Sequence, residues 1–238
     1  RREWLMIRSH GVERNGHNGH SHGPSHTREL TMPSAETIQP MLAVKLDKPF
    51  NDPEWIFEIK WDGYRALASV EGGKCGLVSR NHLCLDKSFP EFAKLDENFK
   101  CESAIVDGEI VALTEKGLPH FQALQNRMRW RQKGHSQSQP AIDYSQYQIV
   151  YMAFDLLYLD GHDLTQLPLT ERRKKLAAII EPGGLVRFSD HVVGEGIDLF
   201  DHLRELGGEG VMAKRADSPY IQDRSPLWAK IKYTQTQD

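Results

Sequence analysis

Apolar and polar positions divide this chain into short elements of two kinds. "WIFEIK" (55–60) and "YRALASV" (64–70) alternate with the period of two that a half-buried strand requires. "SAIVDGEIVAL" (103–113) reads as two β-rich pieces about Asp107-Gly108, a dipeptide that signals a hairpin turn. "YQIVYMAFDLLYL" (147–159) is apolar almost throughout, the pattern of a strand buried on both faces, and is closed by Asp160-Gly161. "EGVMAKR" (209–215) and "LWAKIKY" (227–233) predict short strands. Between them "KSFPEFAKLDENF" (87–99) predicts a turn and a short helix, and "FQALQNRM" (121–128) places Phe121, Leu124 and Met128 at helical spacing. "TERRKKLAAII" (170–180) predicts a helix with Thr170 as its N-cap and Pro-Gly-Gly after its end. "GIDLFDHLRELG" (196–207) predicts another, stopped by Gly207-Gly208. Many strands with few helices predict an α+β fold with antiparallel sheets. No internal repeat is present.

Composition changes this picture at the N-terminal end. Residues 11–36 are rich in Gly, His, Ser, Asn and Pro and poor in apolar side chains, so they predict a flexible linker. Histidines at 10, 17, 20, 22 and 26 suggest either a metal-binding tract or a polar linker that happens to be His-rich; the absence of a regular element beneath them favours the linker. Residues 1–10, with "EWLMIRSH", read as the remnant of a preceding domain or tail, and the folded domain is expected over 37–236. No apolar run approaches the roughly 20 residues of a membrane span, so no membrane partner is expected. Cys75, Cys84 and Cys101 are odd in number and form no CxxC pair, which argues against structural zinc and for a reducing, cytoplasmic setting. A net charge of −3 lacks the basic footprint of a nucleic-acid binder, so any such role needs a local basic surface. "NRMRWRQK" (126–133), with Arg127, Arg129 and Arg131 around a tryptophan, is the candidate; a solvated helix end explains it equally well.

Candidate chemistry concentrates in "FEIKWDGYRA". Alternation puts Glu58, Lys60 and, if the strand persists, Asp62 on one face, and Phe57, Ile59 and Trp61 on the other. A lysine there is either a structural cation paired with Glu58 or a nucleophile. A nucleophilic lysine must shed its proton, which burial and neighbouring cations favour. Taken singly, DGE (107–109), Phe154-Asp155, Glu209-Gly210 with Lys214, and Lys230-Ile231-Lys232 are weak signals. The ordered set KxDGxR, SRN, DGE, FD, EGxxxK, KxK over about 170 residues is far more specific.

That set resembles the adenylation (nucleotidyltransferase) domain of ATP-dependent DNA ligases, and the wording from "IQPMLAVKLDKPF" to "KWDGYRA" is similar to the bacterial ligase D type. The resemblance implies antiparallel sheets flanked by helices with the nucleotide between them. It implies Lys60 as the residue that becomes adenylated, with AMP as a covalent lysine adduct, and Lys60, Asp62, Lys230 and Lys232 as the catalytic set. Glu58, Arg65, Arg80, Glu109, Phe154, Lys214, Lys230 and Lys232 are the residues it assigns to ATP or AMP, Phe154 by stacking on adenine. Glu109 and Glu209 are its metal-binding carboxylates, for Mg²⁺ or Mn²⁺. Arg80, Arg127, Arg129 and Arg131 are the expected DNA contacts. The implied partners are nicked double-stranded DNA, an OB-fold domain of the same full-length protein, which this chain stops short of, and end-processing domains fused N-terminally; a monomer is expected. The readings set against it are an RNA ligase or GTP-dependent capping nucleotidyltransferase, which share the KxDG logic, and a DNA-end-binding module without chemistry, which would have no need of Lys60, Glu109, Glu209 or Lys232.

Overall fold

The computed structural model describes residues 32–132 and 146–233. Residues 1–10, expected to be the remnant of a preceding domain or tail, and the five-histidine tract lie outside the described residues. Eleven strands among the described residues form two sheets. The first is built from β1 (Leu42–Leu46), β2 (Asp52–Ile59), β9 (His191–Gly194), β10 (Gly210–Arg215) and β11 (Arg224–Lys232), in the order β1-β11-β10-β2-β9. The second takes β3 (Tyr64–Glu71), β4 (Lys74–Ser79), β5 (Ser103–Leu113), β6 (Gln148–Leu159) and β7 (His162–Asp163) in the order β4-β3-β5-β6-β7, with β8 (Val186–Phe188) on β6. Pairing is antiparallel except for β1 with β11 and β6 with β8. Among the described residues three α-helices complete the fold: α1 (Phe121–Gln132), α2 (Leu169–Ile179) and α3 (Gly196–Glu205). None of the described helices is long and apolar enough to cross a membrane.

Several expectations are corrected. "SAIVDGEIVAL" is one strand, not a hairpin. Asp107 is fully buried against Arg65, and a Cβ on Gly108 would fall 2.5 Å from Tyr151 Cζ, so the glycine admits an aromatic ring and a register shift rather than a turn. Residues 87–99 hold two 3-10 turns, Pro90–Phe92 and Leu95–Asn98, instead of one short helix. Thr170 does not cap α2: the cap position is Pro168, which donates no side-chain bond, and the Thr170 N–H goes to Ala216 O in the first sheet's border. The predicted linker ends before residue 36, because Met32 packs on the core and Ala35 is buried in it.

The strand alternation of β2 separates two environments. Phe57 and Ile59 pack with Val211, Ala213, Ala229, Ile231 and the Phe200 and Leu203 face of α3. Glu58 faces away from that core, toward the second sheet. Helix α2 lies on β6 and carries two consecutive buried arginines that reach both sheets. Arg172 forms a bidentate pair with Asp155 of β6 at 2.8 Å for each bond. Arg173 reaches Glu58 of β2 at 2.9 Å.

Candidate active site

Three neighbouring strands aim their side chains into the cleft. Register places Met212 opposite Glu58 and Lys230, Lys214 opposite Ile56 and Trp228, and Gly210 opposite Lys232. Directly opposed residues share a face, so Glu58, Met212, Lys230, Lys214 and Lys232 all rise from one side of the sheet. The second sheet contributes Tyr64, Arg65, Glu109 and Phe154, and the end of β4 with the turn after it contributes Ser79, Arg80 and Asn81. All of these but Lys232 line a cavity of about 390 Å³, within the ordinary range for small-molecule sites.

Lys60 follows the end of β2 and is anchored by its N–H to Gly210 O at 3.0 Å. Its ammonium donates to Glu209 Oε2, and Lys232 pairs with the other oxygen, Oε1. Of the two readings of Lys60, the structural one pairs it with Glu58; its partner is instead Glu209, the residue before β10. Glu209 is held below the ordinary carboxylate range: burial opposes this, but the bonds from Lys232 and Lys60 prevail. Asp62 moves the other way, raised by burial and by Glu209 nearby. Gly63 is required by close approach, since a Cβ there would lie 2.1 Å from Ile110 O of β5. Trp61 does not join Phe57 and Ile59: β2 has ended, and its ring lines the cavity, with Nε1 donating to Ser189 Oγ at 2.9 Å.

Arg65 is held by Asp107 through two bonds, 3.0 and 2.6 Å, and Tyr220 Oη donates to the same carboxylate at 2.7 Å. The arrangement leaves the guanidinium fixed, 5.5 Å from the centre of the Phe154 ring. Glu109, beside it, is half-buried, and burial pushes its carboxyl up to about 7 against the pull of Arg65 and Lys60. Phe154 is 8 % exposed, meets Trp228 edge-on at 6.2 Å and lines the cavity. Lys230 is depressed from its ordinary value by burial and then by Lys232, Arg224, Lys60 and Arg80, four cations gathered at one mouth.

Not every expected residue joins the Lys60–Glu209–Lys232 cluster. Lys214 is 1 % exposed, lies 2.9 Å from Glu58 Oε1 and sits 4.2 and 4.3 Å from the Phe154 and Trp228 ring centres. It stands four residues along β10 from the Gly210 level where Lys60 is anchored, roughly 13 Å away. Burial lowers its ammonium below the usual lysine range. Arg127 is engaged away from the cleft in a bidentate pair with Glu91, at 2.5 and 2.8 Å. Arg129 and Arg131 continue α1, and their side chains lie outside the described residues. Arg80 is exposed at the cavity edge, in a turn closed by Ser79, whose Oγ accepts from Leu83 N at 3.0 Å.

Sequence reasoning missed Trp61, Met212, Arg224, Arg173 and Ser189. Met212, and Trp228 with it, stand inside segments whose pattern predicts strands, so only register assigns them to the cavity. Arg173 sits in a run, "ERRKK", that reads as a solvated basic face.

Glu109 and Glu209 fit a cation carried largely by phosphate. Among the described residues no three metal-ligating side chains come together. Mg²⁺ is commonly held by one or two carboxylates, substrate phosphates and water, so this sparse donor set suits it.

A cleft between two antiparallel sheets, with a lysine and a carboxylate–lysine cluster at one end and an aromatic, acid-floored recess at the other, defines a nucleotidyltransferase-type domain. The model of the ATP dependent DNA ligase domain matches residues 40–232, and the chain belongs to that family. It is 34% identical over 205 residues to the multifunctional non-homologous end joining protein LigD of Mycolicibacterium smegmatis, covering 85% of this chain and 25% of that protein. To the LigD of Pseudomonas aeruginosa it is 36% identical over 202 residues, with 84% and 22% covered. The chain thus spans about a quarter of the length of these two relatives. Against the SPbeta prophage-derived DNA ligase-like protein LigB of Bacillus subtilis the identity is 32%, over 82% of this chain and 67% of that protein. The structure of mycobacterial DNA ligase D complexed with ATP and MES superposes with a TM-score of 0.68 at 30% identity, over 84% of this chain and 62% of that one. Chlorella virus DNA ligase-adenylate, at 20% identity and a TM-score of 0.51, shares the fold.

Proposed function

We propose that this domain takes AMP from ATP onto Lys60 and passes it to the 5′-phosphate of a nick in double-stranded DNA, as the catalytic part of a repair or end-joining ligase. The observation that carries the reading is the Lys60–Glu209–Lys232 cluster at the end of a nucleotide-sized cavity. The Lys60 amine attacks the α-phosphorus, the bond from that phosphorus to the α,β-bridging oxygen breaks, and pyrophosphate leaves. A phosphoramidate joins AMP to Nζ. The 5′-phosphate of the nick then displaces Lys60 and takes the adenylyl group. Attack by the 3′-hydroxyl on that activated phosphate seals the strand and expels AMP.

The residues have separable tasks in this scheme. Lys60 must present a free amine to attack, and the carboxylate to which its Nζ donates, Glu209, suits the role of exchanging that proton. Lys232 and Lys230 suit the negative charge that would grow on the α-phosphate, the kind of prearranged electrostatic stabilisation that dominates such reactions. Mg²⁺ or Mn²⁺, held by Glu209, Glu109 and the phosphates, would supply charge neutralisation on the leaving pyrophosphate. Arg65 and Glu109 suit the ribose, and the Phe154 ring suits the base. Arg80 and Arg224 at the mouth, with Lys230, suit the phosphate of the nicked strand.

Incubation with α-labelled ATP or GTP, followed by denaturing electrophoresis, tests the reading. A covalent label from ATP is expected, and Lys60→Ala should remove it while the protein remains folded. A label that persists in the alanine variant places the nucleophile elsewhere. A label from GTP alone favours a capping enzyme. No label from either favours a DNA-binding module.

A further inference from the structure

The turn after β4 holds a residue that its backbone does not favour. Ser79 N donates to Leu83 O at 2.9 Å, His82 N to Ser79 O at 2.9 Å and Leu83 N to Ser79 Oγ at 3.0 Å, so Arg80, Asn81 and His82 form a three-residue hairpin loop. The third position of such a loop takes the left-handed conformation and is ordinarily glycine. Here it is histidine, at φ 60°. Its ring adds a second cost, since Nδ1 is buried and has no hydrogen-bond partner among the described residues. What histidine gains there lies in the other sheet. The Gln39 amide Nε2, which can only donate, stands 2.9 Å from His82 Nε2. Gln39 leads into β1, and its N–H donates to Gln222 Oε1 at 2.9 Å, in the segment that leads into β11. Gln222, Gln39 and His82 therefore tie the loop that carries Arg80 to the sheet that carries Arg224 and Lys230, all three of which line the cavity.

From this we infer that His82 is a positioning residue: bound to Gln39, it holds the loop so that Arg80 stays beside Lys230 and Arg224, where the three receive the 5′-phosphate of the nicked strand. The inference rests on the adenylation reading and concerns its second step, the transfer of AMP to DNA. Arg80 needs such a tether because its neighbours repel it. Burial, Lys232, Arg224, Lys60 and Arg80 together lower the Lys230 ammonium, so like charges already crowd this end of the cavity. Arg80 is exposed, and an untied loop would carry it outward, away from those cations. Glycine at position 82 would build the same turn without strain and without the unpartnered ring nitrogen, but it would leave the loop free of the first sheet. A backbone held in a sparsely populated region persists where its surroundings over-determine it, and here the bond to Gln39 does so.

The full chain, loaded with labelled AMP from ATP and mixed with a duplex whose nick carries a 5′-phosphate, tests this; the readout is the rate at which label moves to the DNA. His82→Gly suits the backbone and cuts the tether, and Gln39→Ala cuts it from the other side while leaving the turn intact. Each should slow transfer by about threefold to tenfold, the worth of one hydrogen bond. Self-labelling from ATP should stay at the native rate in both, and the melting temperature should hold in Gln39→Ala and hold or rise in His82→Gly. The double variant should be no slower than either single one, because both remove the same bond. In an Arg80→Ala background His82→Gly should change nothing further, since the tether acts through that guanidinium. Native transfer in both single variants overturns the inference, as does a loss that persists undiminished in the Arg80→Ala background or one that follows a lowered melting temperature. A native chain that labels itself but passes no AMP to the nick also overturns it, whereas a native chain that takes no label from ATP removes the adenylation reading and the inference with it.

Discussion

Glu109 is the single residue whose environment makes the sharpest prediction. Its carboxyl titrates near 7 in the folded protein against an ordinary 4.5, because burial outweighs Arg65 and Lys60. Between those values the folded chain holds a proton that the unfolded chain has released. The group therefore favours folding fully below about 4.5, and that contribution is lost as pH rises through 7. Glu109→Gln should leave the nucleotide-free protein equally stable at pH 4.5 but more stable at pH 8, by at most on the order of 3 kcal/mol. Urea unfolding at the two pH values measures this, and an equal change at both would place Glu109 in contact with water. The same variant should lose ligase activity, so stability and function pull apart at this position. Phe154 poses a different question, since it is both core and cavity wall. Replacement by alanine confounds the two, at about 3–5 kcal/mol for a lost core ring. Phe154→Leu keeps most of the volume and removes the flat face. Stacking of a base on an aromatic ring is worth roughly 1–3 kcal/mol, so ATP affinity should fall about fivefold or more while the melting temperature changes little. Unaltered ATP binding, by calorimetry, would assign Phe154 to the core alone.

At the scale of elements, Gly108 and α2 show what a linear reading can and cannot carry. Asp-Gly between apolar residues is a strong hairpin signal, yet β5 runs straight through it because Tyr151, on the neighbouring strand, needs the space a side chain would occupy. Tyr151 Oη also bonds to Ala66 O and Val106 O, at 2.9 and 2.8 Å, so the ring cannot move aside cheaply. Gly108→Ala should accordingly destabilise the domain by about 1–3 kcal/mol or more, read as a lower denaturation midpoint; an unchanged midpoint would mean that β5 and β6 separate readily there. The α+β class, most strand positions and the face shared by Glu58 and Lys60 were legible, because alternation and turn residues are local properties. The KxDG lysine was legible because its motifs recur in a fixed order. The partner of Lys60 was not: Glu209 lies 149 positions away and only the pairing of β10 with β2 brings it near. Arg172 and Arg173 were illegible for the same reason. In "ERRKK" all four cations look alike, and only the distant Asp155 and Glu58 separate the two that are buried from Lys174 and Lys175, which are exposed.

Across the whole molecule, those two arginines join what would otherwise be two sheets meeting along a cleft. Arg172 ties α2 to β6 through Asp155 and also bonds Leu167 O and Ser218 O at 2.5 and 2.9 Å, reaching the segment that leads from β10 to β11. Arg173, one residue on, ties the same helix to β2. A cleft that must hold a triphosphate in one geometry gains from such a link, since independent drift of the sheets would separate Lys60 and Lys232 from Phe154 and Glu109. The energetic consequence is asymmetric. Breaking a buried pair by removing one partner leaves an uncompensated charge and costs about 3–5 kcal/mol, whereas replacing both with apolar groups of similar volume is often near neutral. Arg172→Met should thus lose about 3–5 kcal/mol, and Arg172→Met with Asp155→Leu should recover most of it. If the link serves the cleft as well as the fold, the double variant will unfold near the native midpoint and yet adenylate more slowly, because hydrophobic packing restores stability without restoring the bonds to Leu167 O and Ser218 O. Denaturation curves and labelling rates on the same samples decide between the two. A double variant as unstable as the single one would show that the backbone bonds, not the Asp155 pair, hold α2 in place; native labelling in a stable double variant would show that the sheets keep their relation without Arg172.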